Sequence, residues 1–360
     1  MSQVNLDDPK TYVTSDPFGM LHHIHDISML CQKAWRQALT LDLPQRYSRV
    51  NKIAIFGMGG SAIGGDLLSS LVIGECKVPI SVHRGYIPPA FIDENTLVIA
   101  SSYSGNTEET LAAFEAIPDH HTPKIVMTSG GELAGIAQKH DLPAFIFDYQ
   151  SPPRAAMPLS FLALLGILHK LELIADKSAD VAEACEVMDR LSETINETSP
   201  EQENPAKQLA RRLYGNMAII YGAEHLAEVA SRWKIQINEN AKGWAGSAVF
   251  PELNHNSTTG YAVPKEISEK TFVIMLRSES LHPRILLRYG ITSKLLDRHA
   301  VKHETLTAIG KNKLAQMFSL ILFGDYASYY LALLYGIDPY PIEAVDYLKR
   351  ELGKSKQSGS

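Results

Sequence analysis

Two stretches of this chain follow one plan. KIAIFGMGGSAIGGDLLSSLV, from Lys52, reads as a short buried strand, a glycine turn and a helix opened by small residues, and NMAIIYGAEHLAEVASRWKIQINENAK repeats that plan about 165 residues later. TLVIASSYSGNTEETLAAF and TFVIMLRSESLHPRILLRYGI form a second pair, each a strand, a polar loop and a helix. Short apolar runs alternating with helical stretches of roughly 10–15 residues indicate parallel strands joined by right-handed crossovers, with helices on both faces of the sheet. The repeat predicts two related α/β units in tandem with a cleft between them, the glycine and serine loops kept in the first and altered in the second.

The rest of the chain is arranged around these units. Residues 1–50 carry helical spacing, with Met20, Leu21, Ile24, Ile27 and Leu30 recurring at three and four. The first unit is expected over 51–155 and the second over 206–352, with connecting helices and a linker ending in SPEQENP over 156–205, and a flexible tail over 353–360. A chain of 360 residues can bury a core that needs neither disulfides nor a structural metal. Its 34 Lys and Arg against 40 Asp and Glu, with no basic run, argue against a nucleic-acid partner.

Cys31, Cys76 and Cys185 form no CxxC pair and no zinc-spaced cluster, which fits a reducing compartment. The N-terminus is polar and acidic, unlike a secretory signal. The longest apolar stretch is read as Ala155–Leu168, about 14 residues broken by Pro158, which falls short of a bilayer span. A cytosolic protein is expected, without membrane association. His22, His23 and His25 in HHIH are read as a solvated helix segment, not a metal site.

Two loops could hold an anion. Gly57, Gly59, Gly60, Gly64 and Gly65 follow a strand and open a helix, where free N–H groups and the helix dipole favour a phosphate, and Ser61 adds a hydroxyl. The spacing is not GxGxxG, and the next strand ends in VHRGY without the acid that would hold a ribose, so a dinucleotide is disfavoured. Tight strand-to-helix packing is the alternative reason for these glycines. In SSYSGNTEET, Ser102, Ser104 and Thr107 place three hydroxyls before a helix; capping accounts for Ser104 or Thr107 singly but not for the cluster.

GMGGSAIGGD together with SSYSGNTEET resembles the phosphosugar-binding SIS (sugar isomerase) domain, a five-stranded parallel α/β sandwich. PPRAAMP, INENAKGW and FPELNHN further resemble the bifunctional phosphoglucose/phosphomannose isomerases, over essentially Lys52 to Leu352. The resemblance implies two tandem SIS domains, each a parallel sheet flanked by helices in a three-layer sandwich. It implies interconversion of glucose 6-phosphate, and of mannose 6-phosphate, with fructose 6-phosphate through a cis-enediol, with no cofactor and no metal.

By the same resemblance the phosphate sits on Gly60, Ser61, Ser102, Ser104 and Thr107. Glu239 is the base, and Arg154 lies near the enediolate. His255 opens the sugar ring, reaching into the neighbouring subunit's site of a homodimer. Lys349 closes the site, although Arg350 and Lys354 are equally placed by spacing. Taken without the resemblance, Glu239 near Lys242 reads as a solvated pair and Arg154 as an interdomain salt bridge. Two departures stand out: Ser257 follows HN where the family often has an acid, and Tyr340 and Ile342 stand where threonine-like groups are associated with mannose 6-phosphate. A noncatalytic phosphosugar sensor is the competing reading, opposed by the joint presence of Glu239, His255 and Arg154.

Overall fold

The computed structural model describes residues 4–118 and 121–357. Helices α1 (Pro9–Ser15), α2 (Met20–His25) and α3 (Ile27–Thr40) lead into the first unit. There β1 (Lys52–Phe56) is buried from Ile53 to Phe56, as a central parallel strand covered on both faces must be. The chain continues through α4 (Gly59–Val72), β2 (Ile80–His83), β3 (Thr96–Ser101), α5 (Glu108–Glu115), β4 (Lys124–Thr128), α6 (Gly131–Lys139) and β5 (Ala144–Ile146). All pairings are parallel, in the order β2-β1-β3-β4-β5.

Because β1 connects to β2 on one side and pairs with β3 on the other, the order reverses between β1 and β3. The register sets Phe56 against Ala100. The loops that follow these two strands therefore emerge side by side at the carboxyl edge, the place where open α/β sheets take ligands.

Next come α7 (Met157–Lys170), α8 (Ser178–Ile195) and α9 (Pro205–Leu213). The second unit holds β6 (Met217–Ala223), α10 (Ala227–Asn240), β7 (Ala245–Phe250), α11 (Lys265–Ser268), β8 (Thr271–Arg277), α12 (Pro283–Arg298) and β9 (Lys302–Thr307). Its sheet is parallel in the order β7-β6-β8-β9, the first sheet's plan with four strands where the resemblance implied five. The chain ends in α13 (Lys313–Tyr335) and α14 (Glu343–Gln357).

One apolar cluster runs through both halves, from Ile53 and Ile55 of β1 to Ile220 and Ile274 of the second sheet. α7 is buried from Met157 to Leu168, and α13 from Leu314 to Leu334. The second helix corrects the sequence reading of the longest apolar stretch. At 23 residues α13 is long and apolar enough to cross a membrane, yet its apolar window is wholly buried inside the fold. Gln316 and Asp325 interrupt its composition, and a helix buried all round has no apolar stripe to betray it.

The HHIH segment is corrected as well. His23 is buried and its Nδ1 lies 2.6 Å from the Tyr149 hydroxyl, whereas His22 and His25 are exposed as expected, His25 pairing with Glu197 at 3.0 Å.

α13 meets α10 where Gly324 lies against Trp233. A Cβ added at Gly324 would stand 2.4 Å from the indole, which is itself fully buried and fixed by Nε1 donating to the Leu320 carbonyl at 2.8 Å. The ring has no room to retreat. Gly324→Ala is expected to destabilise the protein by roughly 1–3 kcal/mol through overpacking, measured by urea unfolding, and Trp233→Phe on the same chain should recover part of the loss.

Candidate active site

At the first sheet's edge, packing explains most of the glycines. A Cβ at Gly60 would lie 2.6 Å from the Pro153 carbonyl, one at Gly64 2.7 Å from Ser160 Oγ, and one at Gly65 against Ile55 and Val82. The Met58 N-cap supplies no side-chain acceptor to α4; its carbonyl accepts from Ser61 N at 3.0 Å, which leaves the start of the helix before Ser61 for a ligand or water.

The serine loop lies alongside. Tyr103 N donates to Ser61 Oγ at 3.3 Å, tying the two loops together. Ser102 Oγ and Thr107 Oγ1 are 2.8 Å apart, and Gly105 N donates to Ser102 Oγ at 3.1 Å. Gly105 has φ +71°, and a Cβ there would collide with the Gly130 carbonyl, so no other residue fits. Thr107 occupies the N-cap position of α5, but its hydroxyl makes no cap bond and turns to Ser102 instead. Ser104 is exposed, and its Oγ accepts from Asn106 N at 3.3 Å. The starts of α4 and α5 thus lie with Ser61, Ser102 and Thr107 at one edge of the sheet.

Arg154 adjoins this edge, since its own Cα lies within 3.3 Å of the Cβ that Gly60 lacks. The residue is 1% exposed. Its Nε donates to Asn240 Oδ1 at 2.8 Å, and Nη2 donates to the carbonyls of Pro339 at 2.6 Å and Tyr340 at 2.8 Å. Nη1 is buried without a hydrogen-bond partner and lies 3.6 Å from Glu239 Oε2. Burial disfavours the guanidinium charge, the Glu239 carboxylate supports it, and Arg232 opposes it.

Glu239 is the penultimate residue of α10, with a quarter of its side chain exposed. The Arg154–Glu239 contact joins the two halves of the chain, so the salt-bridge reading of Arg154 and the functional one describe a single arrangement. Lys242, by contrast, does not pair with the Glu239 carboxylate; its Nζ donates to the Glu239 backbone carbonyl at 2.8 Å.

A second layer, missed in the sequence, holds these groups. Arg232 donates from Nη1 to the Arg154 carbonyl at 3.0 Å and from Nη2 to both carboxylate oxygens of Asp325, all three residues being buried. Asn240 Nδ2 donates to Ser328 Oγ at 3.0 Å. The available signal was the polar series Arg232, Gln236 and Asn240 at four-residue spacing within an apolar helix, which puts all three on one buried face.

His255 and Lys349 stand apart from these groups. His255 ends a 3-10 turn (Glu252–His255) after β7, exposed and without a hydrogen bond or ion pair among the described residues. Its loop is anchored by buried Leu253 and by Asn254 Nδ2 donating to Thr292 Oγ1 at 2.9 Å. Ser257 donates from N and Oγ to Asn256 Oδ1 and makes no hydrogen bond to His255. Lys349 lies on α14, exposed from Glu343 to Lys354. The Tyr340 ring lies 5.6 Å from Phe18 and 6.0 Å from His23. Among the described residues no group of three His, Cys, Asp or Glu side chains could hold a metal ion.

The second sheet's edge repeats the geometry with different chemistry. Ser278 and Ser280 hydroxyls, 2.9 Å apart, both donate to Gln316 Oε1, which also accepts from His225 Nε2 at 2.9 Å. A carboxamide from α13 has taken up the donors that a ligand would need.

The model of the bacterial phospho-glucose isomerase C-terminal SIS domain matches residues 202–352. The bifunctional phosphoglucose/phosphomannose isomerase of Caldicellulosiruptor bescii is 40% identical over 338 residues, covering 94% of this chain and all of that protein. The protein of the same name from Aquifex aeolicus is 32% identical, over 87% of this chain and 94% of its own length. The solved structure of a hypothetical protein from Thermus thermophilus superposes with a TM-score of 0.72 at 17% identity, covering 98% of this chain and 92% of that one, which speaks to the fold alone.

His225 is 1% exposed, and burial pushes its pKa down to about 4, only partly offset by the bond to Gln316. Between that value and its ordinary 6.5 the unfolded chain binds a proton that the native protein does not. The neutral ring's contribution is therefore fully present above 6.5 and is lost as pH falls toward 4. Urea unfolding at a series of pH values should show roughly 2–3 kcal/mol of acid loss that is absent from His225→Asn, read as the difference between the two proteins.

Proposed function

This chain belongs to the bifunctional phosphoglucose/phosphomannose isomerases, and we propose that it interconverts glucose 6-phosphate and mannose 6-phosphate with fructose 6-phosphate at the edge built by Ser61, Ser102, Thr107, Arg154 and Glu239. The observation that carries this assignment is the buried Arg154 Nη1, unbonded and 3.6 Å from Glu239, beside the donor-rich loops of the first sheet. The phosphate binds to the N–H groups of α4 and α5, with Gly60 giving close approach and Ser61, Ser102, Ser104 and Thr107 supplying hydroxyls.

Glu239 takes the proton from C2 of the open-chain aldose. The electron pair forms the C1–C2 double bond as the C1 carbonyl pair moves to O1, which takes up a proton; loss of the O2 proton then forms the C2 carbonyl while the C1–C2 pair takes the proton back from Glu239 at C1, giving the ketose. Return to C2 with the opposite configuration gives the mannose epimer. Arg154 supplies fixed positive charge to the developing enediolate oxygens, and its burial makes that charge worth more than it would be in water. Lys349 of α14 closes the site.

His255 serves the partner subunit of a homodimer, where it moves the proton that opens the sugar ring. Its exposure, and its lack of contact with Arg154 or Glu239 within one chain, support that assignment. The free state of Cys31, Cys76 and Cys185 supports a cytosolic location.

The direct test is a coupled assay of fructose 6-phosphate formation from each aldose phosphate; turnover of neither removes the isomerase reading. Glu239→Gln should lower both turnover and exchange of the C2 proton with solvent deuterium by at least about 100-fold while phosphosugar binding stays near normal. Retained exchange would remove Glu239 from the base role. Mixing inactive Glu239→Gln and His255→Ala proteins should restore up to about a quarter of wild-type activity, because a statistical mixture of symmetric dimers rebuilds one intact site in each mixed pair. No recovery would put His255 in its own chain's site or in none.

A further inference from the structure

α14 is exposed along Glu343–Lys354, including the apolar Val345, Leu348 and Leu352, so its direction is set at its root, residues 338–342. Two cations grip that root. Arg154 Nη2 holds the Pro339 and Tyr340 carbonyls, and Lys242 Nζ donates to those of Asp338 at 3.0 Å and Pro339 at 3.1 Å. The same ammonium donates to the carbonyls of Glu239 at 2.8 Å and Asn240 at 3.3 Å, the last two residues of α10. Carbonyls at a helix C-terminus lack intrahelical partners, and a cation there also meets the negative end of the helix dipole.

The backbone reinforces the point. Lys242 has φ +52°, two residues beyond the end of α10, where the left-handed conformation normally selects glycine. Lysine rather than glycine stands at this strained position, and its side chain is the one that holds the four carbonyls.

We propose that Lys242 is a positioning residue that clamps the root of α14 to the end of α10, and so sets where Lys349 stands relative to Glu239. The consequence for turnover rests on the isomerase reading; the clamp itself does not.

Lys242→Gly separates the two costs, because it relaxes the backbone while removing the ammonium, and Lys242→Arg keeps a cation. Hydrogen exchange of residues 338–352 reads the clamp without any substrate. In Lys242→Gly, exchange there should rise by about tenfold or more, with protection of α10 unchanged, and Lys242→Arg should restore much of it. With glucose 6-phosphate, kcat should fall in the glycine variant while KM moves little, since the phosphate loops are untouched. Lys242→Gln carries the same comparison should the glycine protein fail to fold. Wild-type exchange in 338–352 of the glycine or glutamine variant overturns the clamp. Raised exchange with unchanged kcat overturns its link to catalysis. A wild-type protein that turns over no phosphosugar, but whose variants show the exchange pattern, sinks the isomerase reading and leaves the clamp standing.

Discussion

A guanidinium out of contact with water must be met by acceptors, and Arg154 draws its acceptors from segments far apart in the chain. Asn240 and Glu239 come from the end of α10, Pro339 and Tyr340 from the approach to α14, and Arg232 with Asp325 brace the Arg154 backbone from α10 and α13. Removing any one partner leaves a buried charge short of compensation, which costs more than an ordinary contact. The same residue's backbone adjoins Gly60, so the glycine and serine loops of the first sheet inherit their position from that ionic centre. In the proposed reaction, binding and proton transfer are thereby referred to one fixed point.

The architecture was legible because it rests on periodicity. Alternating strands and helices, repeated after about 165 residues, led to two parallel sheets, and the glycine and serine loops fell at the switch point between β1 and β3. What sequence could not carry was burial without pattern. α13 is surrounded by protein on all sides, so its composition has no stripe, and its tyrosines and Asp325 disguised a core helix. His23 looked solvated because neighbouring histidines suggest a polar face, whereas Tyr149, 126 residues away, receives it. Lys242 looked like the partner of a nearby carboxylate, but its acceptors are carbonyls, which no sequence displays.

The comparison of the two halves shows how a repeated scaffold can diverge. At the first edge Ser102 and Thr107 hydroxyls meet only each other and the backbone. At the second, the Ser278 and Ser280 hydroxyls and His225 Nε2 converge on Gln316 Oε1, while His225 Nδ1 stays buried without a partner. One carboxamide reaching in from α13 is enough to turn a ligand edge into a packed one. That half instead carries Glu239 and His255, the groups we propose move protons.

The apolar core that runs unbroken from the first sheet to the second through α7 and α13 bears on how this molecule can move. Many enzymes with two α/β lobes open and shut by rotating one lobe against the other about a flexible seam. Here such a seam would have to tear close-packed side chains apart, and close-packed interiors do not deform gradually. The lobes share one packed core, so access for a substrate falls to the periphery: to the surface loops and to α14.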